Sequence, residues 1–370
     1  MKLEKVLEIL RKLAPEELAE PWDRIGLQLG DPSWTVHRAL LCIDLTPAVL
    51  DEAIRLKSNL IVSYHPILFQ PLERLTTEDW KQAILLKAAR RQIAIYSPHT
   101  ALDGASGGVN DWLCGAIGKG QVRPIEPRSS RLNHKVVVFV PEDHAQRVRN
   151  AMSVAGAGQI GNYVACSFQA AGYGTFLGRG DARPVIGQAG RLERVDELRL
   201  EMVCPQTALE SVVAALRQTH PYEEPAFDIY QLAEAPSPQQ YQTGQGRSLK
   251  LAQPLSVETL IRRVKTCLDV NQIQIAQPSP HRQINQVAVC VGAGESVLRR
   301  DRNADAYVTG EMRHHHVLAA AARGILVLLA GHTQTERPYL KIYRKRIRAA
   351  GADKVQWRLS RADRPPSEIC

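Results

Sequence analysis

Short apolar runs that each end in a polar cluster constrain this chain most. ALLCIDL (39–45), NLIVS (59–63), QIAIYS (92–97), QVAVCVG (286–292), ADAYVTG (304–310) and GILVLLAG (324–331) are short, apolar and bounded by turn residues, so they read as buried strands. Helical patterns stand between them. Leu3, Val6, Leu7 and Leu10 recur at helical spacing over residues 3–13. Thr46-Pro47 supplies an N-cap and a first-turn proline for a helix to about Lys57. Residues 79–91, and the stretch after Gly107-Gly108, also read as helices. Alternation of this kind predicts α/β layers with a mainly parallel sheet. Parallel strands carry the polar residues that follow them to one edge, where α/β folds place ligand sites.

A chain of 370 residues exceeds one ordinary core, so more than one domain is expected. GKGQVRPIEPRSSRLN (118–133) and AEAPSPQQYQTGQG (233–246) lack periodicity and read as linkers. Between them HKVVVFVP, EDHAQRVRNAMSVAG, ELRLEMVCP and QTALESVVAALRQTH give strand, helix, strand and helix, closed by HPYEEPAFDIYQL. The β-α-β…β-α-β order suggests a ferredoxin-like α+β insert over 131–235. The outer parts, 1–122 and 247–362, then form one discontinuous α/β domain, with 363–370 as a C-terminal tail.

Composition excludes several classes. There is no apolar run of about 18 residues, so no transmembrane helix is expected. The N-terminus mixes acids and bases without an apolar core, unlike a secretory signal, which leaves the cytoplasm as the expected location. The seven cysteines form no C-x-x-C pair, which argues against a zinc ribbon or a disulfide framework. The +9 net charge, from 47 basic and 38 acidic residues, peaks in RPYLKIYRKRIRAAG (337–351). That stretch lies in a helix expected from Thr333 to about Arg348 and reads first as a solvated helix face. With 5% aromatics and no nucleic-acid motif, nucleic acid is placed last among partners.

The residues able to do chemistry lie at the ends of the apolar runs. In GHTQTER (331–337), His332 ends a strand and Glu336 follows at i+4, on the same helical face. A histidine and a carboxylate suit a borderline divalent metal. SYHPILF (63–69) places His65 at a second strand end, and SPHTALD (97–103) places His99 and Asp103 at a third. TGEMRHHH (309–316) adds Glu311, a candidate for contact with a ligand or substrate, and three histidines that point around a helix. VGAGES (291–296) could cradle a phosphate on backbone N–H groups but lacks the Walker lysine. GAGQIG (156–161) fits a dinucleotide spacing but follows a helix, and YGTFLGRG (173–180) reads as a hairpin.

LAEPWDRIGLQLG (18–30), LIVSYHPILF (60–69), SPHTALD (97–103), VGAGES (291–296), DAYVTGEMRHH (305–315) and GHTQTER (331–337) together resemble the NIF-three-like family, the GTP cyclohydrolase I type 2 homologues. GAGQIGNYVACSF and HPYEEPAFDIY resemble the PII/CutA-like insert of its longer members. The resemblance implies a two-lobed α/β domain, a toroidal homohexamer and a dinuclear metal centre. It implies one or two divalent ions per subunit, zinc, iron, manganese or magnesium, with His65, Asp103, His332 and Glu336 as ligands. Tyr64 stands where the family commonly has histidine. A phenol with a pKa of ~10 is a poor ligand for zinc or magnesium at neutral pH. Ferric iron could accept it as phenolate; otherwise the second ion is weak or absent. The implied activity is a metal-dependent hydrolase of a nucleotide-like or phosphorylated small molecule, with Glu336 bridging ions and Glu311 orienting substrate as catalytic residues. The alternative is a non-catalytic regulatory hexamer whose insert senses a ligand or partner.

Overall fold

The computed structural model describes residues 1–127, 134–160, 163–180, 182–233, 242–278 and 283–366. The chain divides into two compact units, Met1–Ser129 with Ser237–Cys370, and Ser130–Pro236. No helix among the described residues is long and apolar enough to cross a membrane.

The larger unit holds two main sheets. The first has the order Gly26–Leu29, Ala94–Ser97, Leu60–Ser63, Arg38–Cys42, Gln356–Leu359. All its neighbours are parallel except the Gly26–Leu29 edge. The second has the order Gln274–Ala276, Leu326–Leu329, Ala306–Thr309, Gln283–Cys290, Arg247–Ser256, Gly120–Arg123. Leu326–Leu329, Ala306–Thr309 and Gln283–Cys290 run parallel, and the flanking strands are antiparallel.

Successive side chains on a strand point to opposite faces, and this alternation sorts the core. Ala39, Leu41, Leu60, Val62, Ala94 and Tyr96 join Val287, Val289, Ala306, Val308, Leu326 and Leu328 in one shared cluster. Helices Leu3–Leu13, Val109–Ile117, Val257–Leu268 and Leu340–Ile347 contribute to it. The intervening residues face outward. Leu40, Cys42, Ile61 and Ile95 pack with helices Pro47–Arg55 and Trp80–Arg90. Ala288, Cys290, Tyr307 and Val327 pack with Ala320 of helix His314–Ala322. Both faces of the parallel strands are therefore covered, which is why they read as unbroken apolar runs.

The smaller unit has one four-stranded sheet, ordered Phe227–Gln231, His134–Val140, Leu192–Cys204, Phe168–Leu177, with every neighbour antiparallel. Helices Glu142–Val154 and Leu209–Thr219 cover one face through Val148, Met152, Val212 and Leu216. The element order is β-α-β-β-α-β, as the sequence pattern suggests.

Two expectations need correction. The stretch 118–133 is not simply a linker. Gly120–Arg123 is an edge strand of the second sheet, and Glu126–Pro127 pairs with Gly244–Gln245 from the other supposed linker. All four residues of that edge strand are exposed, so it leaves no hydrophobic alternation to read. Residues 128–133 and 234–241 lie outside the described residues. The helix expected from Thr333 to about Arg348 is instead broken. His332–Glu336 is one turn, Arg337–Tyr339 is a 3-10 turn at Pro338, and Leu340–Ile347 follows. Proline cannot supply the N–H that a continuous helix requires there.

Candidate metal centre

Parallel register assembles the site. Cys42 lies beside Ser63, and Val62 beside Tyr96. The residues just past these strands, Asp44, His65 and His99, therefore emerge next to one another. In the second sheet Thr309 lies beside both Cys290 and Leu329. The ladder continues as Gly310 N–H donates to Gly292 O and Gly331 N–H to Gly310 O, at 3.0 and 2.9 Å. Gly292, Glu311 and His332 thus emerge together as well.

Three side chains converge between these two sets. One ligand atom each from His65, His332 and Glu336 lies within 4.8 Å of the others. His65 Nε2 is 3.4 Å from Glu336 Oε2, and His332 Nε2 is 3.4 Å from Glu336 Oε1. Glu336 is only 3% exposed. Its Oε2 is buried without a hydrogen-bond partner, a costly arrangement for a carboxylate unless something else meets it. Two imidazoles and a carboxylate are also the donors a divalent metal takes. The residues present fit such an ion.

Each imidazole is oriented from behind. His65 Nδ1 is 2.9 Å from Asp44 Oδ1, and His332 Nδ1 is 2.9 Å from Glu311 Oε1. A carboxylate on Nδ1 fixes the ring so that Nε2 presents its lone pair, the arrangement typical of metal-binding histidines. His99 repeats it: its Nδ1 is 2.8 Å from Asp23 Oδ1, and its ring centroid is 5.2 Å from that of His65. His99 also holds a positive φ of 25°, a strained backbone state that tends to collect at functional sites.

Protonation reflects this crowding. Burial works against a charged His65, but the hydrogen bond to Asp44 and the nearby Glu336 carboxylate prevail and push its pKa up to about 10. Burial raises Asp103 to about 7, against the opposing charge of His99 and the Tyr64 hydrogen bond. Burial would also raise Asp44, yet its bond to His65 holds it below the usual range. Tyr64 is driven well above an ordinary phenol, by burial first and then by the charges of Asp103 and Glu336.

The residues marked in the sequence divide as follows. His65, His332 and Glu336 come together, with Glu311 behind His332. Asp103 lies outside that trio, and its Oδ1 accepts a hydrogen bond from the Tyr64 hydroxyl. His332 opens a helix after Gly331 rather than ending the strand. His316 turns to Glu295 at 2.8 Å, while His314 and His315 lie side by side. The VGAGES loop is not free to cradle phosphate. Its N–H groups at Val291, Gly292 and Gly294 donate to Asn110 Oδ1, Thr335 Oγ1 and Thr309 Oγ1, at 3.0, 2.9 and 3.2 Å. Gly292 instead makes room for the site. A Cβ there would sit 2.7 Å from Glu336 Oε1 and 3.2 Å from His332 Nε2. Asp44 and Asp23 were missed in the sequence. Asp44 does stand just past ALLCI, the same position that marked His65.

These features define a two-sheet α/β protein with a buried carboxylate between two oriented imidazoles. The chain belongs to the Duf34/NIF3 (NGG1p interacting factor 3) family, whose model matches residues 1–366. It is 36% identical over 329 residues to the GTP cyclohydrolase 1 type 2 homolog of Halalkalibacterium halodurans, covering 88% of this chain and 87% of that one. It is 34% identical over 373 residues to NIF3-like protein 1 of Bos taurus, covering 100% and 93%. A solved Bacillus cereus protein related to NIF3 matches with a TM-score of 0.68 at 33% identity, covering 100% of this chain and 99% of that one.

Proposed function

We propose that this chain is a cytoplasmic metal-dependent hydrolase of a nucleotide-like or phosphorylated small molecule. The observation that carries the reading is the convergence of His65, His332 and Glu336 around a carboxylate oxygen left without a partner. A divalent ion held there would supply Lewis acidity and lower the pKa of a bound water. The chain's own residues do the rest. Asp44 and Glu311 fix the two rings, and Glu336 offers one oxygen to each side. Glu311 is largely exposed, so it can also meet a substrate at the mouth of the site.

A flat substrate ring has a surface to rest on. Trp22 is 54% exposed, its ring 6.0 Å from His99 and 5.8 Å from Phe69. Base–aromatic stacking contributes about 1–3 kcal/mol, which supports the nucleotide-like class. A homohexameric ring is the assembly that goes with this reading; light scattering should return six chains, and a monomer would contradict it.

The test is a screen of phosphoesters and GTP with and without added divalent ion, with Glu336→Ala as control. Turnover that needs both the ion and Glu336 supports the hydrolase. No turnover with any ion, in protein that retains metal, would overturn it in favour of a regulatory metal-binding hexamer.

A further inference from the structure

The site has a second half that is closed by hydrogen bonding. Tyr64 directly precedes His65 and is 1% exposed, with its ring in the central core. Its hydroxyl donates to Asp103 Oδ1. Its backbone is pinned as well. Tyr64 O accepts from Ser97 Oγ at 2.7 Å and from His99 N–H at 3.2 Å, while Tyr64 N–H donates to Cys42 O at 2.9 Å. Asp103 is fixed on its own side, where Asn110 Nδ2 donates to its carbonyl at 3.1 Å. These bonds fix the backbone that carries both side chains, and burial in the core restrains the Tyr64 ring.

Asp103 is the carboxylate a second ion beside the trio would call on. To bind there, an ion would have to break the Tyr64–Asp103 hydrogen bond and take a neutral phenol oxygen beside the carboxylate. Divalent metals in proteins take imidazole, thiolate, carboxylate, carbonyl or water instead. His99, the neighbouring imidazole, does not rescue the place: among the described residues no group of three ligand atoms within 4.8 Å of one another includes His99 or Asp103. Among the described residues, the cluster whose ligand atoms lie close enough to share an ion is His65, His332 and Glu336.

We propose that the centre of this chain is mononuclear: His65, His332 and Glu336 hold one divalent ion, and the Tyr64–Asp103 pair occupies the place of a second. This rests on the metal-binding reading above and adds its stoichiometry. The pair then acts as a fixed polar wall beside the ion, with the Asp103 carboxylate held on the phenol.

The experiment counts ions. Full-length protein is dialysed to equilibrium against zinc and analysed for zinc per chain. Wild type should hold one. Glu336→Ala should hold none. Tyr64→Phe, which removes the phenol oxygen but keeps the ring, should still hold one. Tyr64→His supplies an imidazole, frees Asp103, and should hold two. Two ions per wild-type chain would overturn the single-ion centre and leave metal binding standing. None in wild type would overturn the metal-binding reading and this inference with it. Ferric loading gives an independent readout: a visible phenolate-to-iron band that disappears in Tyr64→Phe would place Tyr64 on the metal and overturn the proposal. Should Tyr64→His fail to fold, the wild-type ratio and the ferric spectrum still decide.

Discussion

His65 Nε2 faces Glu336 Oε2 across 3.4 Å, although His65 follows a strand of the first sheet and Glu336 a strand of the second, far apart along the chain. What holds the distance is behind the ring: the Asp44 carboxylate on Nδ1. Asp44→Asn keeps the size of the side chain but removes the charge that orients and enriches the imidazole. Metal affinity should fall by about 10–100-fold, the usual cost of losing such a partner. Competition against a chromophoric chelator measures it. An unchanged affinity would mean that Asp44 does not orient His65.

The raised pKa of His65 predicts how the metal-free protein responds to pH. Its ordinary value is 6.5 and its folded value about 10, so the folded state binds the proton more tightly. That contribution is fully present below pH 6.5 and is lost as pH rises through about 10. Asp103, raised from 3.8 to about 7, slopes the same way at lower pH. Thermal unfolding of metal-free protein should therefore move to lower temperature between pH 6.5 and 10, and His65→Asn should flatten that segment. Metal must displace the same proton, so zinc affinity should climb with pH over this range. A melting temperature that rises with pH there would contradict the assignment.

The parallel strands and the site could be read from sequence for the same reason. A strand buried on both faces leaves a compact apolar run, and a ligand residue placed just past it stands out. His65, His332 and Glu336 were visible in that way. Asp44 and Asp23 were not, because an aspartate after a strand resembles an ordinary turn former, and only spatial pairing with a histidine gives it a role. The Tyr64–Asp103 bond was hidden too, since nothing in SYHPILF or SPHTALD says that the two side chains meet. Gly120–Arg123 escaped notice because an exposed edge strand carries no hydrophobic period. The break at Pro338 could have been read from the proline, which has no N–H for a continuous helix, and Leu340, Tyr343 and Ile347 of the helix after it are buried. The basic stretch has that buried side, and Arg346 caps the carbonyls of Ser106 and Gly107 rather than lying wholly in solvent.

Arg247 ties the discontinuous halves of the larger unit together. It is almost fully buried, pairs with Asp111, and donates to the carbonyls of Gly244, Gly246 and Ala105 at 2.6, 2.8 and 3.0 Å. Removing one partner of a buried pair strands the other charge and its acceptors. Arg247→Ala should therefore lower stability by about 3–5 kcal/mol. Urea unfolding measures this, and a loss within experimental error would show that Asp111 finds water in the variant.

Gly292 separates the shape of the site from its ligands. Its φ of 63° already disfavours a side chain, and a Cβ would fall 2.7 Å from Glu336 Oε1. Gly292→Ala changes no donor atom, yet it pushes a methyl group into the space between Glu336 and His332. The positive φ alone should cost roughly 1–2 kcal/mol, small enough for the fold to survive. Glu336 is wedged among buried neighbours and cannot retreat far, so the methyl group should displace its Oε1 from His332. Zinc per chain should therefore drop well below the wild-type ratio while the far-ultraviolet circular dichroism stays native. Full zinc occupancy in a folded Gly292→Ala protein would mean that the ion does not use Glu336 Oε1, and the ligand set would have to be redrawn around Oε2 alone.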